Sequence, residues 1–160
     1  ALLAVLFSDM SAILNNPKAR HDYHIEETFE AGISLVGTEV KSLRAGKGSI
    51  REAFVKVTDK EVFLHNAFID EYEQGNRENH EPRRTRKLLL HKGEIRKLFN
   101  LANVKNLSVI PLSVFWKKGK VKIDIGAGTG KVKRDKRQDL KKRETDREMK
   151  RATMSQLKGR

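Results

Sequence analysis

The stretch that decides the fold covers residues 110–125 and reads IPLSVFWKKGKVKIDI. Apolar side chains stand at every second position on both sides of the sequence KKG, at Ile110, Leu112, Val114, Trp116, Val121, Ile123 and Ile125. A period of two is typical of a strand with one buried face, and a short glycine-containing segment between two such runs suits a tight turn. The stretch therefore predicts an antiparallel β-hairpin.

Outward from this hairpin, the sequence predicts more strands. Residues 23–35 are rich in β-forming side chains. Residues 54–58 and 62–69 read as two strands joined at Asp59 and Lys60 by a second tight turn. Many short strands with regular turn signals predict a mainly β protein, built as a small antiparallel barrel.

Two short helices are predicted around the strands. Apolar residues at helical spacing indicate one helix over residues 38–44, which ends before Gly46, and another over residues 87–102. The polar residues 70–86 lie between the strands and the second helix and predict a long loop.

The chain divides into an N-terminal extension (1–15), a folded domain (16–128) and a basic tail (129–160). From Lys131 onward there are 13 Lys and Arg against 5 Asp and Glu, so this segment contributes 13 − 5 = +8 of the net charge of +13. The tail lacks an apolar stripe, and a single polar helix is marginal in water. We expect it to be disordered when free and helical on a polyanionic partner.

Two further segments need an interpretation. The apolar residues 1–7 are too few to span a bilayer and follow no basic region, which favours a start-site artefact or a loose extension, with Met10 as a candidate start. The glycine-rich residues 126–131 do not match a phosphate-binding loop, because Val132 stands where a hydroxyl is needed. We interpret them as a flexible hinge.

The net charge and the pI near 10.1 indicate a polyanionic partner. The basic segments lack the apolar face that membrane binding requires, which favours nucleic acid and excludes a membrane partner. The sequence contains no cysteine, so it predicts neither a disulfide scaffold nor a thiolate metal site, and it fits a reducing compartment. We expect a cytoplasmic location in a bacterium, with an organelle of bacterial descent as the alternative.

The residues do not favour an enzyme. No nucleophile or phosphate-binding motif is present. If His21 and His24 lie on a strand, they point to opposite faces and cannot chelate a metal together. We therefore predict no catalytic residue, no metal and no cofactor.

Two clusters favour RNA. Residues 83–87, RRTRK, are densely basic and lead into a predicted helix, an arrangement suited to phosphates. Near the start of the domain, cations are mixed with rings that can stack on unpaired bases, at Lys18, Arg20, His21 and Tyr23. Either cluster alone could be a solvated basic surface, but together with the tail they favour RNA binding.

At these residues the sequence resembles a known family. The signatures are KARHDY (18–23), IEETFEAG (25–32), GTEVKSLRAGK (37–47), EQGNR (73–77), RTRKLLLHK (84–92) and DKR (135–137). In this order and spacing they resemble small protein B, the SsrA-binding or transfer-messenger-RNA-binding proteins, over residues 16–149. The resemblance implies a fold related to the oligonucleotide-binding barrel, with short helices around it.

The resemblance also implies a role in translation. Members bind the transfer-RNA-like domain of transfer-messenger RNA (tmRNA) and deliver it to ribosomes stalled without a stop codon, with elongation factor Tu engaged through the RNA. The nascent chain is then tagged for degradation, and the ribosome is released. The tail is implied to fold as a helix in the empty messenger-RNA channel beside the decoding centre.

The site residues follow partly from the resemblance. It implies an RNA face that includes Asn16, Lys18, His21, Tyr23, Glu30, Leu89, His91 and Lys120. The basic clusters add Arg20, Arg84, Arg86 and Lys87. The ribosome-binding segment is matched by Lys131, Lys133, Arg134, Asp135, Lys136 and Arg137.

Some of these assignments leave alternatives open. Leu89 could instead be core, and Glu39 and Lys41 could serve the RNA face or simply pair on a helix surface. The sequence departs from the family at Thr129, where lysine is usual, and at Arg134, where an aromatic residue or histidine is usual. The lysine-rich N-terminal extension of the family is replaced by the apolar start.

Two other functions stay open. A constitutive ribosomal protein would hold ribosomal RNA on every ribosome, idle or stalled. An RNA-processing enzyme would cleave or modify RNA and would lose that activity with a histidine mutation.

Overall fold

The predicted hairpin at residues 110–125 is confirmed in the computed structural model, which describes residues 10–131 and 133–158. Strands β8 (Ser108–Lys117) and β9 (Lys120–Gly130) pair antiparallel. The two residues between them, Lys118 and Gly119, have φ angles of 51° and 75°. Two successive residues with positive φ make the tight turn whose twist matches that of the flanking strands.

The remaining elements precede and follow this hairpin. The other strands are β1 (Met10–Asn15), β2 (Tyr23–Ile33), β3 (Gly48–Ser49), β4 (Phe54–Val57), β5 (Val62–His65), β6 (Phe68–Ile69) and β7 (Arg86–Leu89). The helices are α1 (Pro17–Asp22), α2 (Gly37–Arg44), α3 (Lys92–Phe99) and α4 (Lys133–Lys158), with a 3₁₀ helix at Glu73–Glu78 and a π-helix at Asn100–Val104.

Seven strands form one antiparallel sheet in the order β1-β8-β9-β2-β7-β5-β4, and β3 pairs with β6 separately. The prediction of a mainly antiparallel β fold with short helices is confirmed. The sheet curls so that β4 approaches β8, but no hydrogen-bonded ladder closes it among the described residues. The concave side holds the core, where Leu64, Leu88 and Ile123 of the sheet meet Leu43 of α2 and Leu98 of α3.

The predicted helix over residues 87–102 is wrong in its first part. Arg86 and Leu88 point into the core, whereas Lys87 and Leu89 are exposed, which is the alternation of a strand. This strand pairs with β2 on one side and β5 on the other, and the pairing outweighs the helical spacing of the apolar residues. The α-helix begins only at Lys92.

The strand predicted over residues 62–69 is interrupted. Asn66 has a φ of 61°, which ends β5 and turns the chain so that β6 leaves the large sheet and pairs with β3. The predicted loop at 70–86 contains the 3₁₀ helix, and its last residue already belongs to β7.

The predicted hinge at residues 126–131 is also wrong, because β9 continues to Gly130 and pairs with β2 along that length. Added Cβ atoms would lie 2.9 Å from the Ile25 side chain at Gly126 and would overlap the His24 carbonyl at Gly128. These glycines therefore allow close packing of the backbone rather than flexibility.

The two ends of the chain differ from the sequence prediction as well. Residues 10–15, assigned to the extension, form the edge strand β1, while the apolar residues 1–7 lie outside the described residues. The tail, expected to be disordered when free, forms the 26-residue helix α4. Residues 131–158 contain no glycine or proline, so nothing in their backbone opposes a helix.

Candidate nucleic-acid interface

The convex side of the sheet, called the outer face below, gathers several of the predicted RNA-binding residues. Gly32 of β2 lies opposite Leu89 of β7 on one side and Lys122 of β9 on the other. Two residues along the same pair of strands, Glu30 lies opposite Asp124. Residues opposite each other on paired strands share a face, so residues that are distant in sequence form one surface.

Leu89 is a surface residue, which resolves the alternative left open by the sequence. Its side chain is 53% exposed, whereas the neighbouring Leu88 is 1% exposed. A Cβ added at Gly32 would lie 3.3 Å from the Leu89 Cβ, so the glycine leaves the flank of this leucine open. The result is an apolar patch beside the charged side chains of β2 and β9.

Carboxylates and lysines alternate beside this patch. The Lys117 Nζ lies 3.0 and 3.1 Å from the two carboxylate oxygens of Glu30. Burial and the negative charge of Glu30 raise the pKa of Asp124, and they outweigh the opposite effects of Ser113, Lys117 and Arg20. The outer face therefore offers hydrogen-bond acceptors for base amino groups as well as cations for phosphates.

One group of exposed cations lies at the β8–β9 turn. Lys118 and Lys120 are exposed, and Lys122 is half-buried on the same strand. A turn that projects beyond the sheet can bring its ammonium groups close to a polyanion without desolvating other side chains. Lys120, predicted from the sequence to contact a phosphate, lies exposed beside this turn.

Helix α1 covers the end of the outer face opposite to this turn. Pro17 occupies the first helical position, where its missing N–H costs nothing. Ala19 packs on Ile110 and Leu112, and these three form a small apolar cluster separate from the main core. Ala19, the buried residue of α1, is the one that faces the sheet.

The predicted stacking residues lie on or next to α1. Lys18 and Arg20 are exposed, while His21 and Tyr23 are half-buried. The His21 Nδ1 lies 3.0 Å from the Asp22 Oδ1, so this imidazole is oriented by the neighbouring carboxylate. Lys18 and Arg20 are thus exposed to solvent, whereas the rings of His21 and Tyr23 expose only part of their surface.

Asn16 has a structural position. It is 6% exposed, and its side-chain amide donates hydrogen bonds to the carbonyl oxygens of Pro111 (2.9 Å) and Ile50 (3.4 Å). No hydrogen-bond partner for its buried Oδ1 lies among the residues that the structure describes. Asn16 therefore joins the start of α1 to β8, at the wall of a groove of about 690 Å³ that also includes Arg20, Glu30 and Asp124.

The basic cluster at residues 83–87 is divided between core and surface. Arg86 is fully buried; it pairs with Glu39 and donates to the carbonyl oxygens of Ala67 (2.7 Å) and Pro82 (3.1 Å). Arg84 is half-buried and donates to the same Glu39 carboxylate at 2.5 Å. Arg86, predicted to bind phosphate, has no surface through which to reach RNA in this structure.

Glu39 is the residue that the sequence interpretation underestimated. It is completely buried, although helix-surface pairing was one of the two alternatives considered. Burial opposes its ionisation, but hydrogen bonds from Arg84, the Val36 backbone and Arg86 outweigh that effect and lower the pKa of Glu39. The glutamate therefore stays charged, and its single carboxylate pairs with both arginines.

Lys87 and His91, at the end of the same segment, are exposed. The Lys87 Nζ lies 3.6 Å from the Glu61 carboxylate, a surface ion pair that costs little to open. His91 caps α3, and its backbone N–H donates to Glu94 at 3.3 Å. Both side chains are thus available beside Leu89.

Lys131, the first of the predicted tail residues, is held by contacts with the folded domain and with α4. The Lys131 backbone N–H donates to the Asp22 carbonyl at 2.7 Å, and its ammonium donates to the Arg20 carbonyl at 3.1 Å and pairs with Asp139. This pairing lowers the pKa of Asp139. Lys131 therefore fastens the tail to α1, and Arg137 is exposed on α4.

The other predicted tail residues, Lys133, Arg134, Asp135 and Lys136, lie in the first turn of α4, and their side chains are outside the described part.

Within residues 10–131 and 133–158, no group of three or more His, Cys, Asp or Glu side chains is arranged to hold a metal ion. His80, buried between Thr38 and the Ile69 carbonyl, is a structural histidine that the sequence interpretation missed.

Comparison with known proteins now identifies the family. The family model described as SmpB protein matches residues 13–155, which is most of the chain. The chain belongs to the SmpB family. The resemblance drawn from the sequence motifs is thereby confirmed.

Individual relatives in the SmpB family align with this chain over nearly their whole length. The SsrA-binding protein of Geobacillus sp. (strain WCH70) is 55% identical over 140 residues, covering 88% of this chain and 90% of the relative. That of Geobacter metallireducens is 52% identical over 146 residues, covering 91% and 95%. The fold matches a chain of the solved structure "tmRNA-SmpB: a journey to the center of the bacterial ribosome" with a TM-score of 0.63 and 48% identity, over 74% of this chain and 84% of that chain.

Proposed function

We propose that this chain binds the transfer-RNA-like domain of tmRNA through its outer face and α1, and delivers it to stalled ribosomes for trans-translation. The observation that carries the proposal is the surface made by Glu30, Leu89 and Lys120, which three separate segments contribute. The SsrA-binding relatives and the matching tmRNA–SmpB structure support it.

Each part of the surface has a physical task. Lys120, Lys122 and the exposed Lys18 and Arg20 attract phosphates. Leu89 packs against an unpaired base or ribose, and Glu30 with Asp124 accepts hydrogen bonds from base amino groups. His21 and Tyr23 add partly exposed rings at the α1 end. Asn16 and Arg86 act indirectly, by holding α1 and β7 in place.

The tail is proposed to act on the ribosome. Helix α4, with Arg137 among its exposed cations, enters the empty messenger-RNA channel near the decoding centre and senses that messenger RNA is missing. Its predominantly charged surface suits a channel lined by RNA phosphates. Elongation factor Tu takes part only through the bound RNA.

The protein acts by binding and not as an enzyme, in the bacterial cytoplasm. Among the residues described, no helix is both long and apolar enough to cross a membrane. All of its tasks are met by shape, charge and hydrogen bonding.

The first test is a binding titration with the transfer-RNA-like fragment of tmRNA and an ordinary transfer RNA, at two salt concentrations. We expect a preference for the fragment that persists at the higher salt. Equal binding that collapses with salt would contradict the proposal and favour a constitutive ribosomal protein.

A matched pair of variants locates the surface. Leu89→Ala should weaken binding of the fragment by about 5- to 100-fold, because it removes apolar surface that is buried against the RNA. Val104→Ala removes an apolar side chain that is 71% exposed in the π-helix and should leave binding unchanged. Equal affinities of the two variants would place the RNA elsewhere.

A truncation tests the separate role of the tail. A cut after Gly128 would remove the residues paired with Tyr23 and His24, so the cut belongs after Lys131, which keeps the bond to the Asp22 carbonyl. We expect RNA binding to stay near the parent value and tagging in a reconstituted translation assay to be abolished. Joint loss of both activities in a folded truncation would contradict two separate sites.

A further inference from the structure

The outer face continues beyond Leu89 to the opposite edge of the sheet, where β7, β5 and β4 lie side by side. Lys87 of β7 lies opposite Phe63 of β5, which lies opposite Lys56 of β4. Two residues along, Phe54 of β4 lies opposite His65 of β5. These side chains therefore share the outer face with the proposed tmRNA-binding surface but lie at its far edge.

Phe54 and His65 form a stacked pair of rings. Their centroids are 5.3 Å apart, and the ring planes are inclined by only 6°. Phe54 is 41% exposed, although phenylalanine is among the residue types most often buried. One ring surface is thus supported by the protein, and part of the phenylalanine is left for another flat partner.

The charges around the pair suit a polyanion. The Lys56 Nζ lies 5.9 Å from the centroid of the Phe54 ring, and Lys56 and Lys87 are both exposed. Glu61 is the carboxylate on this part of the face, and it lies 3.6 Å from Lys87. Burial, together with the nearby Lys56, lowers the pKa of His65, so its ring is neutral at neutral pH.

We propose that Phe54 and His65 form a stacking platform for an unpaired base of single-stranded RNA, whose phosphates lie along Lys56 and Lys87. The combination of a supported aromatic surface with flanking lysines is what single-strand binding proteins use, since every base has a flat face. A protein partner would require exposed aliphatic neighbours, whereas the exposed neighbours here are charged or polar, at Lys56, Glu61, Thr85 and Lys87.

The platform is separate from the contacts proposed above. Phe54 lies two strands from Leu89, about 10 Å across the sheet, and four residues along it, about 13 Å. The inference rests on the proposed function only in that the bound RNA would supply the single strand. It widens the RNA footprint from the centre of the outer face to the β4 edge.

The test uses two fluorescent oligonucleotides: a hexamer of adenylate and an abasic hexamer with the same phosphates. Phe54→Ala should weaken binding of the adenylate hexamer by about 5- to 150-fold, the value of one stacked base, and should leave the abasic hexamer unchanged. Val104→Ala is the matched control and should behave as the parent with both. Parent-like binding of the adenylate hexamer by Phe54→Ala would overturn the inference.

Two further variants separate stacking from folding. Phe54→Trp keeps an aromatic surface, so it should retain binding, and its fluorescence should be quenched by the adenylate hexamer more than that of the parent, which has Trp116 alone. Phe54→Leu keeps apolar area without a ring and should bind as weakly as Phe54→Ala. Full binding by a folded Phe54→Leu would contradict stacking.

The same proteins should also be titrated with the transfer-RNA-like fragment. If the parent prefers that fragment but Phe54→Ala binds the adenylate hexamer normally, the platform is wrong and the proposed function stands. If the parent shows no preference, the proposed function fails, and the hexamer results alone decide the platform.

Discussion

Two basic segments of this chain have a similar density of cations but differ in how deeply those cations are buried. Residues 83–87 read RRTRK and residues 117–122 read KKGKVK. In the first, Arg86 is fully buried and Arg84 half-buried, both held by the carboxylate of Glu39. In the second, Lys118 and Lys120 are exposed at a hairpin turn. A dense run of cations in a sequence therefore does not by itself locate an RNA-binding surface.

The difference arises from the strands on which the two segments lie. Alternate residues of β7 face the core, so Arg86 is turned inward, and a buried arginine is tolerated only beside a compensating charge. The lysines of the hairpin lie at or near a turn, where the chain projects into solvent. The following predictions test this contrast between a buried arginine cluster and an exposed lysine turn.

The largest effect is expected from Arg86→Ala. It leaves Glu39 buried without its one fully buried partner, which should lower the free energy of unfolding by about 3–5 kcal/mol, as measured by urea denaturation. The double variant Glu39→Gln with Arg86→Met should recover part of this loss, because neither charge is then buried alone. An Arg86→Ala protein of parental stability but weakened RNA binding would reverse the contrast.

A smaller loss is expected from Arg84→Ala. Arg84 gives Glu39 one hydrogen bond, and its own side chain is 35% exposed, so water can replace part of the contact. We expect the free energy of unfolding to fall by about 1–3 kcal/mol. The ranking is the useful result: a loss larger than that of Arg86→Ala would mean that Arg84 is the principal partner of Glu39.

The Glu39 contribution should also depend on pH. Its folded-state pKa lies below its usual value of 4.5, so the ionised form stabilises the folded protein. This contribution is complete above about pH 4.5 and is lost as the pH falls through the folded pKa. Urea midpoints between pH 6 and pH 3 should therefore fall more steeply for the parent than for Glu39→Gln with Arg86→Met. Parallel curves would contradict an ionised Glu39.

The smallest effect on stability is expected at the lysine turn. Lys120→Gln and Lys122→Gln should each change the free energy of unfolding by less than about 0.5 kcal/mol. Each should reduce the salt dependence of RNA binding, with the slope of log K against log salt decreasing by about 0.7–0.9. A slope equal to that of the parent would show that the lysine does not contact a phosphate.

The sequence predicted those parts of the fold that depend on local patterns. Strict alternation around KKG located the central hairpin, and helical spacing before Gly46 located α2. It failed at Leu88–Leu90, where three consecutive leucines fit a helix and a strand equally well. The choice between them is made by β2 and β5, which pair with β7 and are distant in sequence.

The candidate site also divides into features that the sequence predicts and features that depend on long-range packing. Family motifs and charge indicated which residue types belong together, and the exposed positions of Leu89 and Lys120 are compatible with that. The burial of Arg86 and Glu39 could not be predicted, because it depends on packing α2 against β7 across more than 40 positions of sequence. The Phe54–His65 pair was missed for the same reason, since neither residue is unusual by itself.

The attachment of the tail through Lys131 has a mechanical consequence. Helix α4 contains 26 residues and, at 1.5 Å per residue, is about 39 Å long. Its near end is bonded to the last turn of α1 through the carbonyl oxygens of Arg20 and Asp22. A rotation of α1 by about 10° would sweep the far end of this lever arm through about 7 Å, so a slight tilt at one end of the barrel becomes a displacement larger than one helical turn at the other.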